Sequence, residues 1–274
     1  MSTAIARALP LKEALGVIRS GGFTCVELGY QHLSEPASVA TAVQAAASEQ
    51  IKVTSVHLPF IGLDISHPDE RTRRDVCSLL ASYLESCAEQ DVSLLVIHPN
   101  SYAVAVDVAD WERRNRQSTR SLAELGDLAT ALDVRLALEN QPTRDLRAGG
   151  NISELQQVIE RLQCDHLGLC VDTVHASYNG LDAAAQIEQA GSQLWAVHLA
   201  DDEGQKHLHA VPGDGALNWD QIMGSLSACG YSGYYTMEVY GPRASKNLDQ
   251  QELLVQNHEI VERLAAAWRR LRNC

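Results

Sequence analysis

The chain reads as a single (β/α)8 barrel, and three observations predict it. Short β-rich runs alternate with longer helical patterns from one end to the other. The length of 274 residues suits one barrel of roughly 250 residues better than a sandwich or a bundle. Third, six of the β-rich runs end on an ionisable residue. "SVHLPF" ends on His57, "LLVIHPN" on His98 and "RLALENQP" on Glu139. "LGLCVDTVHA" ends on Asp172 with His175 just beyond, "LWAVHLADD" on His198 and "GYYTMEVYG" on Glu238. Such groups are costly to bury unless something pairs with them. In a parallel barrel the C-terminal strand ends open onto one mouth, where these side chains would converge.

The β-rich runs predict strands over residues 24–28, 53–57, 94–98, 135–139, 167–172, 195–199 and 234–238, with a short strand near 3–6 ahead of them. Helical patterns fill 11–19, 36–49, 69–90, 110–132, 153–162, 182–190, 219–228 and 250–271. "DERTRRDVCSLLASYLESCAEQ" has the apolar i, i+3, i+4 spacing of an amphipathic helix. "SELQ", from Ser153 to Gln156, fits a capping box, and Asn218 fits an N-cap. Alternating βα units argue for a parallel sheet, and eight of them favour a closed barrel over an open doubly wound sheet.

No linker-like stretch divides the sequence, so one domain is expected over residues 1–274, with a hydrophobic content of 45% to build its core. The start, "MSTAIARALPLKEAL", lacks a signal-peptide pattern. No apolar run reaches the roughly 20 residues of a bilayer span, so a cytoplasmic protein without a membrane partner is expected. The seven cysteines show no CxxC spacing and read as reduced core thiols. A formal net charge of −13 opposes phosphate backbones and anionic membranes, so no nucleic-acid partner is expected.

Three bare carboxylates, Glu139, Asp172 and Glu238, could not all stay charged in one buried mouth. A divalent cation removes the conflict. Together with the imidazole of His198 they make a mostly hard ligand set, suited to Mn²⁺ first, with Mg²⁺, Co²⁺ or Zn²⁺ as the other expectations. Read singly, each residue could instead be a strand-end group bonded to loop backbone.

These residues carry a resemblance. The sequence resembles the sugar phosphate isomerase/epimerase superfamily with the xylose-isomerase-like barrel, to which endonuclease IV is related, over essentially its whole length from "GFTCVELGY" onward. The likeness implies that Glu139, Asp172, His198 and Glu238 are metal ligands and that His175, in "DTVH", contacts substrate. "HLHAVPGDGALNW" is similar to the family's H-x-x-P-G-x-G pattern and so places His209 in the pocket. Set against the family, the first strand is expected to be truncated.

The activity implied is a divalent-metal-dependent isomerase or epimerase of a small sugar, keto-polyol or keto-acid. Glu139 and Glu238 would act as bases on opposite faces of one carbon, through an enediolate. A dehydratase is a near neighbour in mechanism. A homo-oligomer is left open, as is a non-catalytic metal- or sugar-binding protein on the same barrel. The rival reading is an abasic-site nuclease with a multi-zinc site. His57, His98, Glu139, Asp172, His175, His198, His209 and Glu238 all fall where endonuclease IV keeps zinc ligands, but His207 stands where an aspartate is expected.

The expected substrate contacts are His57, His98, His175, His209, Glu27 and Arg243. Glu27 reads equally as a partner of a basic loop residue, and Arg243 reads also as a solvated arginine. "PGDG" (212–215) could present N–H groups to an anion or be a plain tight turn. The Asp201–Asp202–Glu203 cluster reads as a solvated loop face, Trp195 and Trp219 as core. Tyr30, His32, Phe60 and Trp111 are rim candidates.

Overall fold

A computed structural model describes residues 1–100, 107–143, 149–241 and 249–272. Seven strands, β1 (Cys25–Leu28), β2 (Lys52–His57), β3 (Leu94–Ile97), β4 (Arg135–Glu139), β5 (Leu167–Asp172), β6 (Leu194–Leu199) and β7 (Tyr235–Met237), pair in sequence order. Every neighbouring pair is parallel. The helices are α1 (Leu11–Ser20), α2 (Ser38–Ser48), α3 (Glu70–Ala88), α4 (Val108–Leu132), α5 (Ile152–Leu162), α6 (Thr173–Tyr178), α7 (Ala183–Ala190), α8 (Trp219–Ala228) and α9 (Gln250–Leu271).

The gap between β7 and β1 is closed by the first two residues. The Ser2 amide donates to Met237 O at 2.9 Å, and the Glu27 amide donates to Met1 O at 2.9 Å. Ser2 and Glu27 form a parallel bridge. The strand expected near 3–6 is therefore confined to Ser2. Thr3–Ala6 is a 3₁₀ helix, because the Ser2 hydroxyl accepts from the Ala4 amide and caps a turn. This nearly closed barrel with a vestigial first strand has the predicted architecture.

Two local readings need correction. Asn151, not Ser153, caps α5, accepting from the Glu154 amide at 2.9 Å, while Glu154 Oε2 accepts from the Gly149 amide at 2.8 Å. The short helix α6 was not anticipated, because six residues give too little sequence for a 3.6-residue period to declare itself. Asn218 does cap α8.

Strand side chains alternate between faces with a period of two. A small inner cluster of Leu94, Val96, Ala137, Cys170 and Ala196 fills the barrel, while a much larger cluster packs the outward strand faces against the helices. The site residues lie one step further along the same inner face. His98 follows Val96 by two, Glu139 follows Ala137, Asp172 follows Cys170 and His198 follows Ala196. Towards the N-terminal end, Trp195 packs over Gly168, where an added Cβ would meet the indole at 2.2 Å. The Arg135 guanidinium lies 5.6 Å from the Trp195 ring centroid.

The described cysteines are free. Among the described residues no helix is long and apolar enough to cross a membrane.

Candidate metal and active site

Glu139 is the hub of the strand-end cluster. Its Oε1 lies 2.8 Å from His198 Nδ1, and its Oε2 lies 2.8 Å from His98 Nε2 and 3.2 Å from His57 Nε2. His198 Nδ1 also stands 3.5 Å from Glu238 Oε2 and 4.0 Å from Asp172 Oδ2. One donor atom from each of Glu139, Asp172, His198 and Glu238 lies within 4.8 Å of the others, and all four residues are buried. The strands thus bring together the four residues singled out as metal ligands, with His57 and His98 beside them.

A surrounding set of contacts fixes these side chains. Glu27 Oε1 lies 2.9 Å from His198 Nε2, and the Ser55 hydroxyl donates to Glu27 Oε2 at 2.8 Å. Glu27 therefore sits behind His198, engaged with an imidazole and a neighbouring strand rather than with a basic loop residue. Asn140 ties β4 to β5, accepting from the Asp172 amide at 2.7 Å and donating to Asp172 O at 3.1 Å. Asp172 Oδ1 caps α6 by accepting from the His175 amide at 2.7 Å. His175 Nδ1 lies 2.8 Å from Asn140 O, and His209 Nδ1 lies 3.0 Å from Glu238 O.

Burial raises carboxyl pKa values and lowers imidazole ones, and the neighbours decide the outcome. Burial pushes the Glu139 carboxyl up, but His198, His57 and His98 more than offset it and hold it well below the usual range. Burial pushes Glu238 up as well. There the pull of His198 is outweighed by Glu139, Asp172 and Glu27, so its carboxyl ends well above the usual range. Burial lowers His198, but nearby acidic groups, Glu27, Glu238 and Glu139 among them, raise it well above an ordinary imidazole. Burial pulls His98 down to about 4 and His209 down to about 3.

The donor set fits a divalent cation. Asp172 Oδ2 is buried with no hydrogen-bond partner, and Glu238 cannot easily hold its charge among like neighbours. A cation among these four side chains would relieve both conditions, and three carboxylate oxygens with one imidazole nitrogen suit a hard or borderline ion.

The loop after β6 overturns the solvated-face reading. Asp201 and Asp202 are fully buried. The Asp201 carboxylate accepts from the Asp202 amide at 2.9 Å, the Gly213 amide at 2.7 Å, the Leu217 amide at 3.1 Å and Trp219 Nε1 at 2.8 Å. The anion held by the "PGDG" turn is thus the chain's own carboxylate. Gly215 is required there, since an added Cβ would lie 2.4 Å from Asp201 Oδ1. Asp202 accepts from the Ser177 hydroxyl and from the Lys206 and Leu208 amides at 3.1–3.2 Å. Trp219 is core as expected, whereas Trp195 is half-buried.

His207, between those two amides, and His209 both have left-handed backbones, φ 60° and 50°. Their rings stand 5.0 Å apart, and 5.2 and 5.4 Å from that of His175. Phe60 stacks on His98 with centroids 3.9 Å apart, and Tyr30 meets Phe60 at 4.5 Å. His32 turns away from the rim, contacting Thr3 Oγ1 and Leu9 O at 3.1 Å. Trp111 lines a groove with Leu155 and Val158 beside α4 and α5. Arg243 lies outside the described residues. Sequence reasoning missed Asn140, Asp201 and Asp202 as organisers of the site. The one available signal was their position immediately after a strand-end ligand or close to one.

A parallel barrel with buried carboxylates and imidazoles gathered at its C-terminal mouth defines a barrel with a candidate metal site. The chain belongs to the xylose isomerase-like TIM barrel family, whose model matches residues 15–270. Among curated proteins it is 22% identical to fructoselysine 3-epimerase of Escherichia coli O157:H7 over 230 residues, 78% of this chain and 82% of that one. It is 23% identical to inosose isomerase of Bacillus velezensis over 208 residues, 73% of this chain and 72% of that one. A solved D-tagatose 3-epimerase-like protein superposes with a TM-score of 0.78 at 20% identity, covering 99% of this chain and 98% of the other.

Proposed function

We propose that this protein is a divalent-metal-dependent isomerase or epimerase acting on a small sugar or keto-polyol. The observation that carries the reading is the approach of Glu139, at the end of β4, and Glu238, just beyond β7, to the same His198 nitrogen at 2.8 and 3.5 Å. Relatives named as epimerases and isomerases support it, as does the family. Glu139, Asp172, His198 and Glu238 would hold the ion, Mn²⁺ first among Mg²⁺, Co²⁺ and Zn²⁺. When bound, that ion supplies positive charge to the substrate oxygens flanking the reacting carbon, acidifying its C–H.

The protein's own part is proton transfer. Glu139 and Glu238 are the two carboxyls suited to accept the proton from the reacting carbon and to return one to it. Delivery to the opposite face gives an epimer, and delivery to the adjacent carbon gives an isomer. Expulsion of a β-hydroxyl instead would make the protein a dehydratase. His57, His98, His175 and His209 would bind substrate. Glu27 is better read as the group that orients His198. The test is deuterium incorporation from D₂O into a panel of ketoses, keto-acids and their phosphates with Mn²⁺. Incorporation into at least one is expected, and none across the panel would overturn the reading.

One observation favours a nuclease as a second reading. His57, His98 and Glu139 form a further group with metal-binding spacing, as do His175, His207 and His209. The net charge of −13 weighs against a duplex partner. Cleavage of abasic DNA by protein carrying three zinc ions would reverse the ranking.

A further inference from the structure

Among the described strands the parallel sheet shifts register at two places, between Val26 and Glu27 where β1 meets β2 and between Leu169 and Cys170 where β5 meets β6. At each, the partner strand carries one extra residue, Thr54 on β2 and Trp195 on β6. A bulge of this kind re-aims a side chain. Both extra residues line one cavity of about 550 Å³. Lys52, Leu94, Arg135 and Leu194, the first residues of β2, β3, β4 and β6, line it too. The cavity is therefore the N-terminal mouth of the barrel, at the opposite end from the carboxylate cluster.

The bulge turns the Trp195 indole onto the inner cluster of the barrel. Gly168 gives it room, since a Cβ there would lie 2.2 Å from the ring. Trp195 remains partly exposed and lines the cavity, so the barrel ends in an aromatic floor rather than in aliphatic packing. The Arg135 guanidinium stands 5.6 Å from the centroid of that ring. Tyr234, 46% exposed, adds a second ring to the wall.

Charge sets this mouth apart from the rest of the molecule. The whole chain has a formal net charge of −13, yet Lys52 and Arg135 line the cavity against a single acid, Asp91. Neither cation has a salt-bridge partner among the described residues. An adjoining hollow of about 440 Å³ shares Thr54, Gly233 and Tyr234 with the first, and its charged side chains are Arg269 and Arg272. Such a wall attracts an anion, and a guanidinium suits phosphate or carboxylate through its paired N–H donors. The exposed rings suit a flat conjugated partner. Residues at the N-terminal end of a barrel ordinarily serve stability, to which unpaired cations add nothing.

We infer that the N-terminal mouth is a second binding site, for an anion that carries a flat conjugated ring. The ring lies against Trp195, and the anionic group meets Arg135 and Lys52. The cavity volume falls within the roughly 300–1,000 Å³ of small-molecule sites. Nucleoside phosphates and aromatic carboxylates share the chemistry. The site is separate from the reaction at the other mouth and stands whatever that reaction is.

The test is calorimetry and tryptophan fluorescence on the full chain with AMP, benzoate, adenosine and inorganic phosphate. AMP or benzoate should bind, and the tighter of the two identifies the source of the ligand. Adenosine lacks the anion and inorganic phosphate lacks the ring, so each should bind about ten-fold more weakly or worse. Arg135→Gln, a change at an exposed position, should weaken binding by about ten-fold, the scale of one hydrogen bond to a charged group. The bound ring should quench fluorescence. Trp195→Phe, which keeps a ring, should remove that quench while calorimetry still registers binding. Arg135→Gln decides alone if Trp195→Phe fails to fold. No heat from millimolar AMP or benzoate would overturn the inference. Inorganic phosphate binding as tightly as either would do the same, because the ring would then contribute nothing. So would unchanged affinity in Arg135→Gln, or a quench that survives in Trp195→Phe, since the ligand would then sit elsewhere.

Discussion

Glu27 and His198 form a buried pair, Oε1 to Nε2, at 2.9 Å, while the other nitrogen of the same ring faces Glu139, Asp172 and Glu238. A carboxylate behind a ligating imidazole fixes its tautomer and raises its basicity, and losing such a partner typically costs 10–100-fold in metal affinity. The protein is expected to carry about one tightly held divalent ion, lost in Asp172→Asn and held less tightly in Glu139→Gln, where the amide oxygen can still ligate. Glu27→Gln, which keeps the size but removes the charge, should weaken retention by about ten-fold. Elemental analysis and chelator competition measure both, and full retention in Glu27→Gln would remove its orienting role.

The two glutamates should be separable by isotope. Gln substitution at either position removes one base, and general-base loss costs about 10²–10⁴-fold in rate. A metal-loaded Glu139→Gln or Glu238→Gln variant should therefore exchange deuterium with one epimer while failing to form the other. Metal content must be measured in the same samples. Near-normal turnover in both variants would shift the proton transfer to the histidines, His175 first.

The titrating groups give the metal-free protein opposing pH limbs. His98 and His209 have folded pKa values lowered by burial to about 4 and about 3. The stability they contribute is present above the ordinary imidazole value of about 6.5 and is lost as pH falls through the folded values. Glu238 is raised, so its contribution is present at low pH and lost as pH rises through its folded value. In chelator, thermal melts should show stability falling from pH 6.5 towards 4, and His98→Gln should flatten that limb. Glu238→Gln should be more stable than the parent at pH 8, having no buried carboxylate to ionise. A less stable Glu238→Gln at that pH would contradict the electrostatic account.

Asp201 should matter to the fold as much as to the site. Asp201→Ala would strand the Asp202 amide and the Trp219 indole N–H in the interior and would release the Gly213 and Leu217 amides. A stranded buried donor costs about 1–3 kcal/mol, so a loss of about 3 kcal/mol or more is expected in denaturant melts. Proteolytic nicking should concentrate between residues 203 and 217. An Asp201→Ala variant melting with the parent would show that the loop is held by other contacts.

Much of this was legible in the sequence because strand periodicity and burial leave a local mark. Apolar runs ending in His98, Glu139, Asp172 and His198 announce inward-facing strand ends without any knowledge of their neighbours. The burial of Asp201 and Asp202 leaves no such mark. "ADDEG" looks solvated, and most of its donors come from residues 206–219, brought back only by the folded loop, with Ser177 on α6 adding another. Glu27 was visible as a strand-end acid, but its partner His198 is on β6, far away in sequence. The capping role of Asn151 was obscured because Ser153 offered the better-known motif two residues later.

Asp172 has one oxygen on the His175 amide, at the start of α6, and the other buried without a hydrogen-bond partner in the candidate metal cluster. Occupancy by a cation and the seating of the helix that carries His175 therefore share one carboxylate, and each must bias the other by the same free energy. On the proposed reading, a bound ion would firm α6 around its cap and so would hold His175 in place for a substrate. Amide protection at His175 should accordingly rise when metal is added, before any substrate is present.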